Sequence, residues 1–152
     1  RQYYKNCYIE GATDFIFGWS TAVFDSCTIY CRKGGQYITA ASTNEGNPYG
    51  FVFINCRITG DAPEKSYYLG RPWRPFAKTV FIRCYLDQHI RPEGWHNWNK
   101  PEAEKTSFYA EFESTGPGAN PSARVSWSHS LTEESVRKYA LENIFGDWDG
   151  EW

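Results

Sequence analysis

One carboxylate in the 152-residue chain stands out because of its neighbours. In ATDFIFG (residues 12–18), Asp14 directly precedes Phe15, Ile16 and Phe17, with Gly11 and Gly18 at the edges. Burying an ionised carboxylate among such residues costs several kcal/mol unless a partner compensates. An acid kept there is a candidate for chemistry. The second stretch is YYLGRPWRPFAKTVF (67–81), where Arg71 stands between Leu69 and Trp73 and Pro72 fixes the backbone. A guanidinium confined in this way suits charge-assisted pairing with a carboxylate. An isolated Arg-Pro-Trp more often serves an ordinary salt bridge and core packing. Its weight here comes from the acid that precedes it.

Other chemistries find less support. Glycoside hydrolysis needs two carboxyl groups in one cleft, and Asp25, Asp61 and Asp87 are the possible partners for Asp14. Asp61 and Asp87 sit in polar surroundings and read as solvated loop acids. Asp25 falls at an inward parity of its segment, an anomaly. No Gly-x-Ser-x-Gly elbow marks a serine hydrolase. Five cysteines, an odd number with no Cys-x-x-Cys pair, do not make a complete disulfide framework. With only His89, His96 and His129 to add, they give poor support to a zinc site, and no metal is expected.

The elements that must position Asp14 and Arg71 follow from a repeat. YYKNCYI (3–9), VFDSCTI (23–29), VFINCRI (52–58) and VFIRCYL (80–86) share a hydrophobic or aromatic pair, two variable residues, a cysteine, one variable residue and an aliphatic. A recurrence of about 20–29 residues belongs to solenoids. Within each unit the residues alternate as in a strand, which places Val52, Ile54, Cys56 and Ile58 on one face and Phe53, Asn55 and Arg57 on the other. The pattern predicts coils of a parallel β-helix with Cys7, Cys27, Cys56 and Cys84 as small buried hydrophobes in the interior. An antiparallel sandwich is the weaker alternative, because two-residue hairpin turns are scarce. YITAA (37–41) and SFYAEFEST (107–115) read as further strands, and 87–106 as a long aromatic-bearing loop. One helix is predicted over 131–145, with Thr132 as N-cap and Leu131 and Val136 as a hydrophobic staple.

Composition narrows the partners. Sixteen Lys and Arg against 18 Asp and Glu give a formal net charge of −2, with no footprint for nucleic acid or an anionic membrane. No stretch approaches the roughly 18 apolar residues of a membrane span, and the opening RQYYKNCYIEG has no leader pattern. Aromatics reach 18%, with seven Trp and eleven Tyr, which suits a large core or the stacking of sugar rings equally well.

ATDFIFG and YLGRPW, in this order and separation, resemble two signature motifs of the pectin methylesterases, a right-handed parallel β-helix family. PEGWHNW (92–98) is similar to the family's Gly-Trp-x-x-Trp segment, and AEFESTGPGANPSARVSW (110–127) to its Glu-[Tyr/Phe]-x-x-x-Gly-Pro-Gly-Ala region. YALENIFGDWDGEW (139–152) fits its closing helix and tail. The 37–59 stretch looks more like bacterial members than plant ones. The resemblance covers essentially the whole chain.

By that resemblance Asp14 is the nucleophile that attacks the methyl-ester carbonyl of a galacturonate unit. Methanol leaves, and water cleaves the acyl-enzyme. Arg71 holds Asp14 by hydrogen bonds. Trp73 and Trp95 match tryptophans lining the substrate groove, and Phe17 contributes an apolar wall near the ester methyl. No cofactor is implied. The substrate partner is pectin, and a secreted or periplasmic location is implied. The family also carries a Gln-Asp-Thr motif and a further glutamine upstream, which supply the acid/base and the oxyanion contacts. None occurs in these residues, and Gln2 is no substitute because no Asp follows it. The expectation is therefore the C-terminal half of an esterase domain over 1–152, whose first coils and cap lie in a separate segment or chain, and which alone is nearly inactive. The competing readings are a catalytically silent β-helix that binds acidic polysaccharide, and a pectin-cleaving hydrolase or lyase.

Overall fold

A computed structural model describes residues 1–146. The part of the predicted tail at 147–152 lies outside the described residues. Strands β1 (Gln2–Lys5), β2 (Tyr8–Gly11) and β3 (Thr13–Gly18) form one coil. The next consists of β4 (Ala22–Asp25), β5 (Thr28–Cys31) and β6 (Tyr37–Ala41), and the third of β7 (Phe51–Ile54), β8 (Arg57–Gly60) and β9 (Tyr68–Gly70). After β10 (Lys78–Ile82) and β11 (Tyr85–Leu86), the chain meets the β9 edge through Tyr67–Ile90 and Gly70–Trp95 bridges, then adds β12 (Phe108–Phe112) and β13 (His129–Ser130). Corresponding strands pair in parallel into three sheets, ordered β1-β4-β7-β10-β12-β13, β2-β5-β8-β11 and β3-β6-β9. This is a right-handed parallel β-helix, as the repeat anticipates. The predicted 87–106 loop contains one helical turn, α1 (Ala103–Thr106).

The interior differs from the predicted one in which residues face it. Phe24, Phe53 and Phe81 share the core with Cys27, Cys56 and Cys84 and with Ile29, Ile58 and Leu86. Val23, Val52, Val80 and Ile82 point the other way, into a second cluster with Tyr139, Ile144 and Phe145. Strict alternation fails because a left-handed residue turns the corner between the first and second strands of each coil. Asn6, Ser26, Asn55 and Arg83 have φ of 55°, 55°, 53° and 50°. That residue resets the parity, so Phe53 and Cys56 face the same side. It also removes the anomaly of Asp25, which faces outward and accepts the Tyr3 hydroxyl at 2.5 Å and the Ser26 hydroxyl at 2.9 Å.

The core is a column of rings and thiols. Tyr4, Phe24, Phe53 and Phe81 stack in sequence, with centroids 5.1, 4.6 and 4.4 Å apart and planes within 9°. The ~4.8 Å spacing of paired strands brings identical positions to ring-stacking distance. Three of the buried thiols lie against a carbonyl one coil back: Cys27 on Tyr4, Cys56 on Phe24 and Cys84 on Phe53, at 3.4, 3.2 and 3.6 Å. All five cysteines are free thiols.

The single helix predicted over 131–145 is instead two short turns, a 3₁₀ segment Ser135–Tyr139 and α2 (Leu141–Ile144), broken at an extended Ala140. At about 100° per residue a continuous helix would carry Phe145 to the side roughly opposite Val136. The break lets Tyr139, Ile144 and Phe145 all cover the outward valine row. Thr132 does cap the first turn: its hydroxyl accepts the Ser135 amide at 3.0 Å, while the Ser135 hydroxyl accepts the Thr132 amide at 2.8 Å.

Candidate active site

Asp14 owes its position to an irregularity in β3. Thr13 pairs with Tyr37 and Ile16 with Thr39, so three steps on one strand oppose two on the other. The extra residue is a β-bulge, and Asp14 within it has φ of 53°. A non-glycine residue in that conformation costs about 1–2 kcal/mol, less for Asp than for most. Such bulges re-aim a side chain. Gly11 permits this one, since a Cβ on it would lie 2.3 Å from the Phe15 Cβ.

Arg71 reaches Asp14 from just beyond β9. Its amide donates to the Thr39 carbonyl at 3.0 Å. The preceding Gly70 packs so closely that a Cβ would sit 2.2 Å from Thr39 Oγ1. The guanidinium then grips the carboxylate with two bonds, Nε to Oδ1 at 3.0 Å and Nη2 to Oδ2 at 2.6 Å. Both side chains keep a little solvent access, 18% for Arg71 and 23% for Asp14. The fork answers the desolvation problem posed by the sequence.

The guanidinium is itself sandwiched. Its Cζ lies 3.8 Å from the Tyr37 ring centroid and 3.7 Å from that of Trp98. Contacts of this kind contribute about 0.5–2 kcal/mol each and hold the arginine plane. Beside the ion pair opens a cavity of about 360 Å³ lined by Asp14, Phe17, Ala40, Trp73 and Trp98. Phe17 is 63% exposed and Trp73 36% exposed, and their rings meet edge-on at 5.9 Å. A bidentate acid beside exposed aromatic faces can receive a sugar ring and present a carboxylate oxygen to its substituents.

Four of the five expected site residues thus meet: Asp14, Arg71, Trp73 and Phe17. Trp95 does not. It is 1% exposed and stacks on Tyr109 at 4.3 Å inside the core, so it offers no face to a groove. Trp98, the second tryptophan of GWHNW, lines the cavity in its place. Tyr37 is the other participant that sequence reasoning missed. None of the other candidate carboxylates joins Asp14. Asp61 accepts the Lys33 amide at 2.8 Å, and Asp87 accepts the Thr59 hydroxyl at 3.2 Å and the Gln88 amide at 2.8 Å. Among the described residues no group of three His, Cys, Asp or Glu is placed to hold a metal ion.

The chain that carries this site has counterparts among known proteins. Residues 1–147 match the family described as pectinesterase. The chain belongs to the pectinesterase family. It is 45% identical over 137 residues to pectinesterase 31 of Arabidopsis thaliana, covering 90% of this chain and 43% of that protein. Among solved structures, the pectin methylesterase from carrot superposes with a TM-score of 0.86 at 31% identity, over 97% of this chain and 51% of that one. The pectin methylesterase from Yersinia enterocolitica gives 0.81 at 32% identity, over 97% and 54%. The expected bacterial character gains no support from these values, the Arabidopsis protein being the more identical. This pectinesterase chain spans about half the length of these three relatives.

Proposed function

We propose that this chain supplies the nucleophile and its arginine to an esterase that removes methyl groups from methyl-esterified polygalacturonate, giving pectate and methanol. The observation that carries the reading is the two-bond Arg71–Asp14 clamp on a left-handed bulge beside an aromatic-walled cavity. Family membership supports the reaction class. A solved pectin methylesterase in complex with a hexasaccharide, 31% identical to this chain with a TM-score of 0.81, supports a polysaccharide as the ligand.

In this mechanism an Asp14 oxygen attacks the ester carbonyl. The C–O bond to methoxide breaks, and the methoxide leaves as methanol after taking a proton. Water then hydrolyses the anhydride, restoring Asp14 and freeing the galacturonate carboxylate. Arg71 keeps the carboxylate in its attacking orientation and accommodates the shift of its charge during acylation. Phe17 and Trp73 hold the sugar and exclude water from the ester methyl. The proton donor and the oxyanion donors come from residues outside the 152. Each is worth about 10² or more in rate, so this chain by itself turns over slowly. Substrate and family membership support a location outside the cytoplasm, secreted or periplasmic.

The test is methanol release from highly methyl-esterified pectin by the complete protein carrying this chain. Asp14→Asn is expected to abolish release while leaving the fold and pectin retention intact. Retained turnover sinks the nucleophile assignment. New reducing or unsaturated ends without methanol point to a chain-cleaving enzyme, and pectin retention with no methanol in the unmutated protein points to a silent binder.

A further inference from the structure

The indole that covers Arg71 is held by an unusual piece of backbone. Trp98 and Asn99 are consecutive left-handed residues, with φ of 56° and 54°, and neither is glycine. Such a pair persists only where its surroundings over-determine it. Two side chains do so, each accepting the amide two residues ahead. Asn97 Oδ1 accepts the Asn99 N–H at 2.8 Å, and His96 Nδ1 accepts the Trp98 N–H at 2.9 Å. The segment is also tied to the arginine's own corner. The His96 amide donates to the Gly70 carbonyl at 3.1 Å. Lys100 Nζ donates to the Trp73 carbonyl at 3.2 Å and lies 5.0 Å from the Trp98 ring centroid.

We propose that His96 is a positioning residue of this site: as the neutral imidazole it accepts the Trp98 amide, fixes the left-handed turn and keeps the indole stacked on the guanidinium that aims Asp14. The inference rests on Arg71 serving the esterase centre described above. An imidazole nitrogen accepts only while it carries no proton, so His96 is the Nε2–H tautomer, and protonation at Nδ1 removes the bond. The surroundings resist that protonation. His96 lies edge-on between Tyr37 and Tyr68, at 5.7 and 5.1 Å. Burial, and then the Arg71 and Arg91 cations, push its pKa below the ordinary 6.5. Of the acids in the cluster, Asp14 is committed to Arg71, and Glu93 acts on Tyr68. The clamp therefore holds at neutral pH and opens only as the pH falls below the usual imidazole range.

The sequence contains its own control. Asn97 already performs the same backbone capture one residue later, so His96→Asn preserves the acceptor and deletes the titration. His96→Leu deletes both. In the unmutated protein, the Trp98 indole N–H resonance, assigned with Trp98→Phe, is expected to shift with a midpoint below pH 6.5, together with the His96 ring. In His96→Asn it should keep its high-pH position throughout, and the matching step should vanish from the acid limb of kcat for methanol release. In folded His96→Leu the resonance should be displaced at every pH, with kcat reduced about tenfold or more and KM changed less. An unchanged pH step in His96→Asn, or an undisturbed Trp98 in His96→Leu, overturns the proposal. If His96→Leu does not fold, the asparagine variant alone decides. If no form releases methanol, the esterase reading falls, while the resonance titration still decides the role of His96.

Discussion

Asp14 and Arg71 are separated by 57 positions and joined by two hydrogen bonds. Arg71→Lys keeps the charge but loses the fork and the flat surface that Tyr37 and Trp98 cover. The expected result is a folded protein whose kcat for methanol release falls about 10–100-fold. The two partners were legible in sequence because each broke a local rule, an acid in an apolar run and an arginine wedged beside proline and tryptophan. Tyr37 was not legible, since only the coil-to-coil pairing of β6 with β9 brings it to the arginine. Nor could the pattern of GWHNW tell which tryptophan faces the groove, because a loop has no period to assign faces. The structure separates their roles, and a pair of variants can test that separation. Trp95→Ala should cost about 3–5 kcal/mol in denaturant melts through loss of core packing. Trp98→Ala should leave the melt nearly unchanged and lower methanol release.

At the scale of the element, the left-handed corner is what the repeat concealed. A strand alternates with period two, and a reading that carries the alternation through Asn55 assigns every residue before it to the wrong face. The cysteines and aliphatics after the corner were placed correctly, and so were the coils. Only the backbone angle at the corner, invisible to hydrophobic periodicity, reversed Phe53 and Val52. The corner makes its own prediction. Asn55→Gly, free to adopt φ of 53°, should change stability by less than about 1 kcal/mol, whereas Asn55→Val should destabilise by about 1–2 kcal/mol or more. Equilibrium unfolding of the two variants compares them directly. A similar mismatch explains the C-terminal segment: its apolar residues cannot share one helical face, so the chain interrupts the helix to keep them on the sheet.

For the molecule as a whole, one buried ion pair ties the far end of the solenoid to the loop that carries the tryptophans. Arg124 binds Glu111 through Nε at 2.7 Å and Nη2 at 3.2 Å, and gives its remaining donors to the carbonyls of Arg91, Pro92 and Gly118. The two side chains are 5% and 12% exposed. Removing one charge leaves the other buried and unpaired, so Arg124→Met should cost about 3–5 kcal/mol. Thermal melts should show that loss together with a displaced Trp98. A second prediction concerns pH. Burial lowers the pKa of both His89 and His96 from 6.5, His96 with help from two arginines. As the pH falls below 6.5 the unfolded chain takes up protons that the folded one resists, so the two histidines withdraw stability in that direction and none above it. Melts at pH 7 and pH 5 should differ accordingly, and replacing His89 by a neutral residue of similar size should shrink the difference.

The repeated core thiols Cys27, Cys56 and Cys84, one in each successive coil, form a built-in position scale along the axis. Burial holds the Cys27 thiol at a pKa of about 11, so it stays protonated and inert to alkylation while its coil is closed. Pulse labelling in mild denaturant, read by peptide mass, would therefore time the opening of each coil separately. A stack in which each coil contacts only its neighbours can open one coil at a time. Cys27, Cys56 and Cys84 are expected to be modified in separate phases rather than in one step, so that the residues first noticed as a repeat become the markers of how that repeat comes apart.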